Sequence, residues 1–261
     1  MTEQDNNKKI PISVFIVTLN EEKHIRKVLA SVEAFDEVVL VDSGSTDQTV
    51  TIAQSMGAQV YHQEWLGYAK QKQYAMSLCS NEWVLNLDGD EVLNGNIVNR
   101  FADIVKNDEA DSVRFWRNDL FIGKRLNALS KRPNNHRLYK KSKASFDDSN
   151  LAHESAIVDG NELFINEEFD HFGYNTIRDL TDKNNIYSCL KALEKHKKGK
   201  KASLLKLIFI FPITFLKQYL LQRYIFSGTR GFIKSVIVAY YAFLKEAKLY
   251  EYQENDKLPP L

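Results

Sequence analysis

Two periods alternate along the first ninety residues, a run of buried-strand character and then a helical spacing, repeated. Residues 10–19 (IPISVFIVTL) are an apolar, β-branched run that predicts a strand covered on both faces. Asn20 follows as a helix N-cap, with Glu21 and Glu22 at the positive end of a helix that shows Ile25, Val28, Leu29 and Val32 on one face. Residues 37–42 (EVVLVD) predict a second strand that ends in a carboxylate. A second helix follows, with Ser45 and Gln48 in capping-box spacing and Gly57 as its stop. Residues 58–62 and 82–88 read as further strands, and 67–78 as the helix between them. Strand and helix in this alternation predict a doubly wound parallel sheet with right-handed crossovers.

In such a sheet every strand's carboxyl end lies on one edge, where ligands bind. Thr18-Leu19-Asn20-Glu21, Asp42-Ser43-Gly44-Ser45 and Asp88-Gly89-Asp90 therefore converge. Asp88, Asp90 and Glu91 repel one another unless something positive sits among them, and a divalent metal carrying a phosphate-bearing substrate suits carboxylate oxygens. The competing reading is a solvated acidic turn, since Asp-Gly is a frequent turn dipeptide. Asp42 has two readings as well, accepting a hydrogen bond from a nucleobase N–H or capping its own turn. Neither Gly-x-Gly-x-x-Gly nor Gly-x-x-x-x-Gly-Lys-Ser/Thr occurs, which removes the main support for dinucleotide or P-loop binding.

Val17-Thr18-Leu19-Asn20-Glu21-Glu22, Val41-Asp42-Ser43-Gly44-Ser45-Thr46-Asp47 and Leu87-Asp88-Gly89-Asp90-Glu91 resemble, in order and spacing, the nucleotide-sugar half of family 2 glycosyltransferases. With Trp65-Leu66-Gly67-Tyr68-Ala69-Lys70-Gln71-Lys72 and His153-Glu154, the chain is similar to the lipopolysaccharide-core β-1,4-glucosyltransferase branch over residues 10–250. The resemblance implies a GT-A fold, an α/β Rossmann-like, mixed and mainly parallel sheet, with a C-terminal amphipathic helical extension. It implies an inverting, metal-dependent transfer of a hexose, glucose from UDP-glucose, to a heptose of the lipopolysaccharide inner core. Thr18, Asn20, Glu21, Asp42, Ser43, Lys70, Asp88 and Arg137 are then expected to hold the nucleotide sugar. Asp90, with Asp88, would hold Mg²⁺ or Mn²⁺. Gly89 stands where the branch carries Ala, a change expected to matter little.

Inversion needs one base opposite the leaving diphosphate, from a different part of the chain than the metal site. The resemblance puts it at Glu154, with His153 as the competing base or an orienter. Residues 111–118 are expected to continue the sheet, and the irregular 121–141 segment is rich in Arg, Lys and Asn. Within it Arg137, beside a short apolar strand, is the cation expected to meet donor or acceptor phosphates. His171 has two readings, reaching the metal or diphosphate, or packing in the core. Residues 179–198 read as an amphipathic helix with a basic end.

Composition narrows the class further. With 44% hydrophobic and 26% charged residues the chain is globular, and a net charge of +1 gives no global field for nucleic acid. Two cysteines, Cys79 and Cys189, supply no disulfide framework or metal spacing. The polar first residues lack an apolar signal region, so a cytoplasmic protein is expected. Residues 204–216 (LLKLIFIFPITFL) are strongly apolar, and Lys217, Arg223, Arg230 and Lys234 punctuate the apolar stretch that continues to Leu244. This predicts basic helices in peripheral contact with the cytoplasmic face of the inner membrane, where the glycolipid acceptor is anchored. The expected domains are 10–200, divided into a nucleotide-sugar half (10–118) and an acceptor half (119–200), and a helical extension at 201–250. Two other classes fit less well. A sugar-1-phosphate nucleotidyltransferase wants a basic Gly-rich loop where Leu19-Asn20-Glu21-Glu22 stands. A non-catalytic nucleotide-sugar-binding or scaffold protein at the membrane has no need of Glu154, and a GT-A enzyme for another glycan acceptor is the remaining alternative.

Overall fold

The computed structural model describes residues 9–147, 155–174 and 176–255. The opening alternation is β1 (Ile10–Thr18), α1 (Ile25–Ser31), β2 (Phe35–Asp42), α2 (Thr49–Ser55), β3 (Gln59–His62), α3 (Tyr68–Ser77) and β4 (Trp83–Asp88). Then come β5 (Glu91–Leu93), α4 (Gly95–Asn107), β6 (Ser112–Phe121), β7 (Lys124–Arg125), β8 (Asn134–Lys140), β9 (Ala144–Ser145), β10 (Ile157–Val158) and β11 (Glu162–Tyr174). Three helices finish the chain, α5 (Ile177–Lys197), α6 (Leu204–Leu216) and α7 (Gly228–Glu254).

The main sheet runs β3-β2-β1-β4-β8-β6-β11-β5, with β7 paired to β6. Pairing is parallel from β3 to β4 and antiparallel at β4–β8, β8–β6 and β11–β5. The sheet is mixed, as expected, and its antiparallel part is built from β5, β6, β8 and β11, of which β8 lies in the irregular 121–141 segment. The chain order reverses between β1 and β4, and a crevice outside the carboxyl ends of strands at such a switch point is where open α/β sheets bind ligands. Register sets the level of that edge, because Thr18 pairs with Asp42 and Val17 with Asp88.

Contacts divide the chain into two compact units, one reaching Asn118 and including Pro133–His171, the other Asp119–Arg132 with Phe172 onward. In the first, alternate strand residues bury on opposite faces. Ile12, Val14, Ile16, Leu85 and Phe115 pack with Val28 and Leu29 of α1 and with Ile97, Phe101 and Ile104 of α4. Phe15, Val39, Val84 and Tyr139 pack with Ala75 and Met76 of α3. Helix α4 begins where Asn94 accepts the Ile97 N–H at 3.1 Å, which satisfies one of the free donors of a helix start.

Two start signals work differently from the expectation. Asn20 is not an N-cap, since it takes a left-handed φ of 56° and α1 begins only at Ile25. Its N–H donates to Ser45 Oγ and its Oδ1 accepts the Thr46 N–H, at 2.8 and 2.9 Å, so it ties the loops after β1 and β2 together. Nor do Ser45 and Gln48 form a capping box. Asp47 accepts the Thr49 N–H at 2.9 Å instead, while Gly57 does end α2 with a φ of 83°.

In the second unit, α7 is the helix against which the others pack. Ala192 and Leu193 of α5 cluster with Leu249 and Tyr252, and Phe121 and Leu180 with Ile237. The buried Glu246 of α7 pairs with Lys195 of α5 and, at 3.0 Å, with Lys206 of α6. Apolar packing and these ion pairs hold α5 and α6 to α7.

Candidate active site

The chemistry collects at the β4 end. Lys72 Nζ lies 3.0 Å from Asp88 Oδ1 and Arg137 Nη2 lies 3.4 Å from Asp88 Oδ2. Both cations are buried, at 4% and 5% exposure, whereas the Asp88 side chain keeps 33% of its surface open. Desolvation works against the Asp88 charge, but Lys72 and Arg137 outweigh it and hold the carboxyl well below the usual range. Asp88 is an ionised acceptor, fixed on one side and open on the other.

Lys72 was not the lysine expected here. Helix α3 buries Ala69, Lys72, Ala75 and Met76 on one face and leaves Lys70 exposed. The neighbouring Gln71 is fully buried and donates to Ser43 Oγ at 3.1 Å and to the Gln63 carbonyl at 3.0 Å. That stretch therefore locks the β2 turn through Gln71 and supplies the site's cation through Lys72. The i, i+3 spacing from Ala69 was the signal that separates Lys72 from Lys70.

Asp42 is buried and shapes its own turn. Its Oδ2 accepts the Gly44 and Ser45 N–H groups at 2.9 and 2.8 Å, and Ser45 Oγ donates to Oδ1 at 2.5 Å. Ser43 N–H donates to the Thr18 carbonyl at 3.0 Å. Thr18 is buried, and its Oγ1 has no hydrogen-bond partner among the described residues. A buried hydroxyl without a partner at a ligand edge is a position for a ligand or water. Glu21 carries Thr49 on its N–H at 2.8 Å and turns its side chain toward Gly89.

Gly89 is where two loops come closest. A Cβ there would lie 2.9 Å from both Thr18 Oγ1 and Glu21 Cγ. The expectation that Ala would do equally well at this position meets that crowding. Gly89→Ala should displace the Thr18 and Glu21 side chains, raise the KM of a ligand bound at this edge several-fold and cost about 1 kcal/mol of stability. Steady-state kinetics and a melting curve on the variant check this, and wild-type values for both would remove the contact's importance.

Asp90 and His171 form the second half of the site. His171 pairs with Glu91 across β11 and β5, which brings its Nε2 to 3.5 Å from Asp90 Oδ2. Both side chains are largely enclosed, at 8% and 13% exposure. One carboxylate oxygen and one imidazole nitrogen at this spacing suit a shared divalent ion. Among the described residues no three His, Cys, Asp or Glu side chains form a ready metal cage. A two-residue donor set fits an ion that keeps waters and takes its other ligands from substrate phosphates, which is how Mg²⁺ is commonly held.

Arg137 is at the site but not free for phosphates in the way expected. Its Nη2 donates to Glu91 Oε1 at 2.5 Å. Glu91 has no exposed surface, and burial pushes its carboxyl up, against the pull of Arg137. His136 pairs with Glu162 at 3.1 Å and with Ser112 at 3.2 Å, on another face of β8. Glu154 and His153 lie outside the described residues.

The comparisons with known proteins bear on this arrangement directly. The family profile described as Glycosyl transferase family 2 matches residues 13–171, well over half of the chain and all of the described site. The chain belongs to glycosyltransferase family 2. Its fold is accordingly GT-A, with a mixed sheet and C-terminal helices. The lipopolysaccharide core biosynthesis glycosyltransferase LpsC of Rhizobium meliloti is 36% identical over 251 residues, covering 93% of each chain. The uncharacterized glycosyltransferase RT0209 of Rickettsia typhi is 37% identical over 253 residues, 92% of this chain and 87% of its own length. Among solved structures, S. aureus TarS shares 18% identity with a TM-score of 0.48, over 93% of this chain and 54% of that one.

Proposed function

We propose that this family 2 glycosyltransferase is inverting and metal-dependent, and moves glucose from UDP-glucose to a heptose of the lipopolysaccharide inner core, forming a β-linkage. The observation that carries the donor half is Asp88, an ionised carboxylate held by Lys72 and Arg137 with its open side on the switch-point edge. The acceptor is supported by the relative LpsC, which matches nearly end to end and is named for lipopolysaccharide core biosynthesis.

In this reading the turn Thr18–Glu21 and the Asp42–Ser43 turn cradle the base and ribose, Lys70, exposed on α3, reaches the nucleotide sugar, and Asp88 accepts from a ribose or sugar hydroxyl. Asp90 and His171 would hold Mg²⁺ or Mn²⁺, an ion that would supply positive charge to stabilise the leaving diphosphate. Glu154 takes the proton from the acceptor hydroxyl, with His153 orienting it or competing as base. The acceptor oxygen forms its bond to the anomeric carbon from behind, and the bond to UDP breaks with its electron pair on the diphosphate. Incubation with UDP-glucose and a heptose-terminated inner-core glycolipid should give a glucosylated product by mass spectrometry. Transfer to this acceptor from no UDP-hexose would contradict the acceptor assignment.

The protein is further proposed to work on the cytoplasmic face of the inner membrane, in peripheral contact through its C-terminal helices. Leu204–Leu221 has a mean hydropathy of 1.7 with none of its length buried, and is long and apolar enough to cross a membrane by length and composition. Leu204, Leu205, Ile208, Phe209, Ile213 and Leu216 are each more than half exposed. Residues 195–245 contain 11 Lys and Arg and no Asp or Glu, although the whole chain is nearly neutral. Apolar faces in a segment with this cationic excess suit an anionic lipid surface, with Pro212 and Lys217 interrupting a span. Co-flotation with phosphatidylglycerol vesicles, weakened by salt and absent with phosphatidylcholine, is expected. Equal flotation with both, or with neither, would contradict it.

A further inference from the structure

Glu91 is the fully buried carboxylate of the site, and the proposed reaction gives it no task. Both of its oxygens are engaged on the donor edge. Oε1 accepts from Arg137 Nη2 at 2.5 Å, and Oε2 accepts the Asp88 backbone N–H at 3.0 Å. The same Arg137 nitrogen stands 3.4 Å from Asp88 Oδ2, and the guanidinium lies over the Phe169 ring at 5.9 Å from its centroid. Arg137 is thus shared between two carboxylates and sits much closer to Glu91. Glu91 in turn grips the turn whose side chain Arg137 would otherwise capture.

A plain buried ion pair joining β5 to β8 would account for the first contact but not for the second. The hydrogen bond to the Asp88 N–H fixes where β4 ends and how the Asp88-Gly89-Asp90 turn leaves the sheet. Removing the Glu91 charge would strengthen the draw of Arg137, 5% exposed, toward Asp88 Oδ2 3.4 Å away. Buried cations left without a counter-charge draw on whatever carboxylate is near.

We propose that Glu91 is a positioning residue of the transferase site. It holds the Asp88 N–H and keeps Arg137 from closing onto the Asp88 carboxylate, so that this carboxylate stays turned outward for the donor. The inference rests on the reading that Asp88 meets the nucleotide sugar.

The test compares Glu91→Gln, Arg137→Met and the double variant Glu91→Gln/Arg137→Met in the full chain. Affinity for UDP and UDP-glucose is measured by titration calorimetry, with Mn²⁺ and separately in chelator, beside kcat, KM and a melting curve. Glu91→Gln keeps the shape and an acceptor for the Asp88 N–H while removing the charge. It is expected to weaken UDP-glucose binding about tenfold, with and without Mn²⁺, and to raise KM more than it lowers kcat. The double variant is expected to bind no more weakly than Arg137→Met alone, because Glu91 acts through Arg137. A folded Glu91→Gln variant with wild-type affinity would overturn the proposal, as would a double variant whose loss is the sum of the two single losses. Should Glu91→Gln not fold, the charge-neutral double variant against Arg137→Met decides by the same criterion. A wild-type chain that binds neither UDP nor UDP-glucose would overturn the donor reading itself, and this inference with it.

Discussion

Asp88→Asn is expected to lower kcat/KM for the sugar nucleotide by about 100-fold or more, the scale of losing a charged group from a preorganised site. The side chain keeps its shape, but Lys72 and Arg137 lose the charge they share. Lys72 is 4% exposed, and its ammonium stands 3.0 Å from Asp88 Oδ1, so the charge is lost beside a buried cation. Arg137 retains its ion pair with Glu91. A pH effect accompanies this. The folded-state carboxyl of Asp88 lies below its unfolded value, so its contribution to stability is present above the usual carboxylate range and is lost as pH falls toward the lowered value. Acid melting curves should show that loss in the wild type and not in Asp88→Asn. Kinetics near the wild-type value in a folded variant would show that Asp88 does not meet the donor.

Glu154→Gln is expected to reduce kcat by about 10² to 10⁴-fold while leaving donor affinity intact, as removal of a general base does. The described carboxylates of the site are already engaged. Asp88 is held by two cations, Glu91 by Arg137, and Asp90 stands beside His171. These engagements support a base from another segment. The pH profile separates the two candidates, because activity falls on the acid side as the base becomes protonated. A glutamate base places that fall at about pH 4 to 5, and a histidine base near about pH 6.5. His153→Ala would then lose the limb if His153 is the base and keep it if Glu154 is.

The parallel half of the sheet was legible because its strands are buried on both faces and its helices are stopped by recognisable residues, Gly57 above all. Contacts made at a distance were not visible in the pattern. Asn20 and Ser45 have the composition of caps, yet they tie together two loops that only the parallel pairing of β1 and β2 brings together. The Asn20 N–H donates to Ser45 Oγ at 2.8 Å, and Asn20 Oδ1 accepts the Thr46 N–H at 2.9 Å. Strand β11 is not legible in the pattern because its alternation is broken by Glu167 and Gly173. With it went the placement of His171, whose approach to Asp90 depends on the β11–β5 pairing. Carboxylates were expected to need positive charge among them, and the protein supplies part of it through Lys72 and Arg137. Lys72 could have been separated from Lys70 by helical spacing alone, whereas the Arg137–Glu91 pairing depends on β8 crossing beside β4.

The most direct measurement is release of UDP from a panel of UDP-sugars, with and without Mn²⁺, by the wild type and by Asp90→Asn. Metal-dependent release from one sugar, lost in Asp90→Asn, is the expected result and names the donor. Release unaffected by metal or by Asp90→Asn, or no release from any UDP-sugar, would contradict a metal-assisted transferase site at the end of β4.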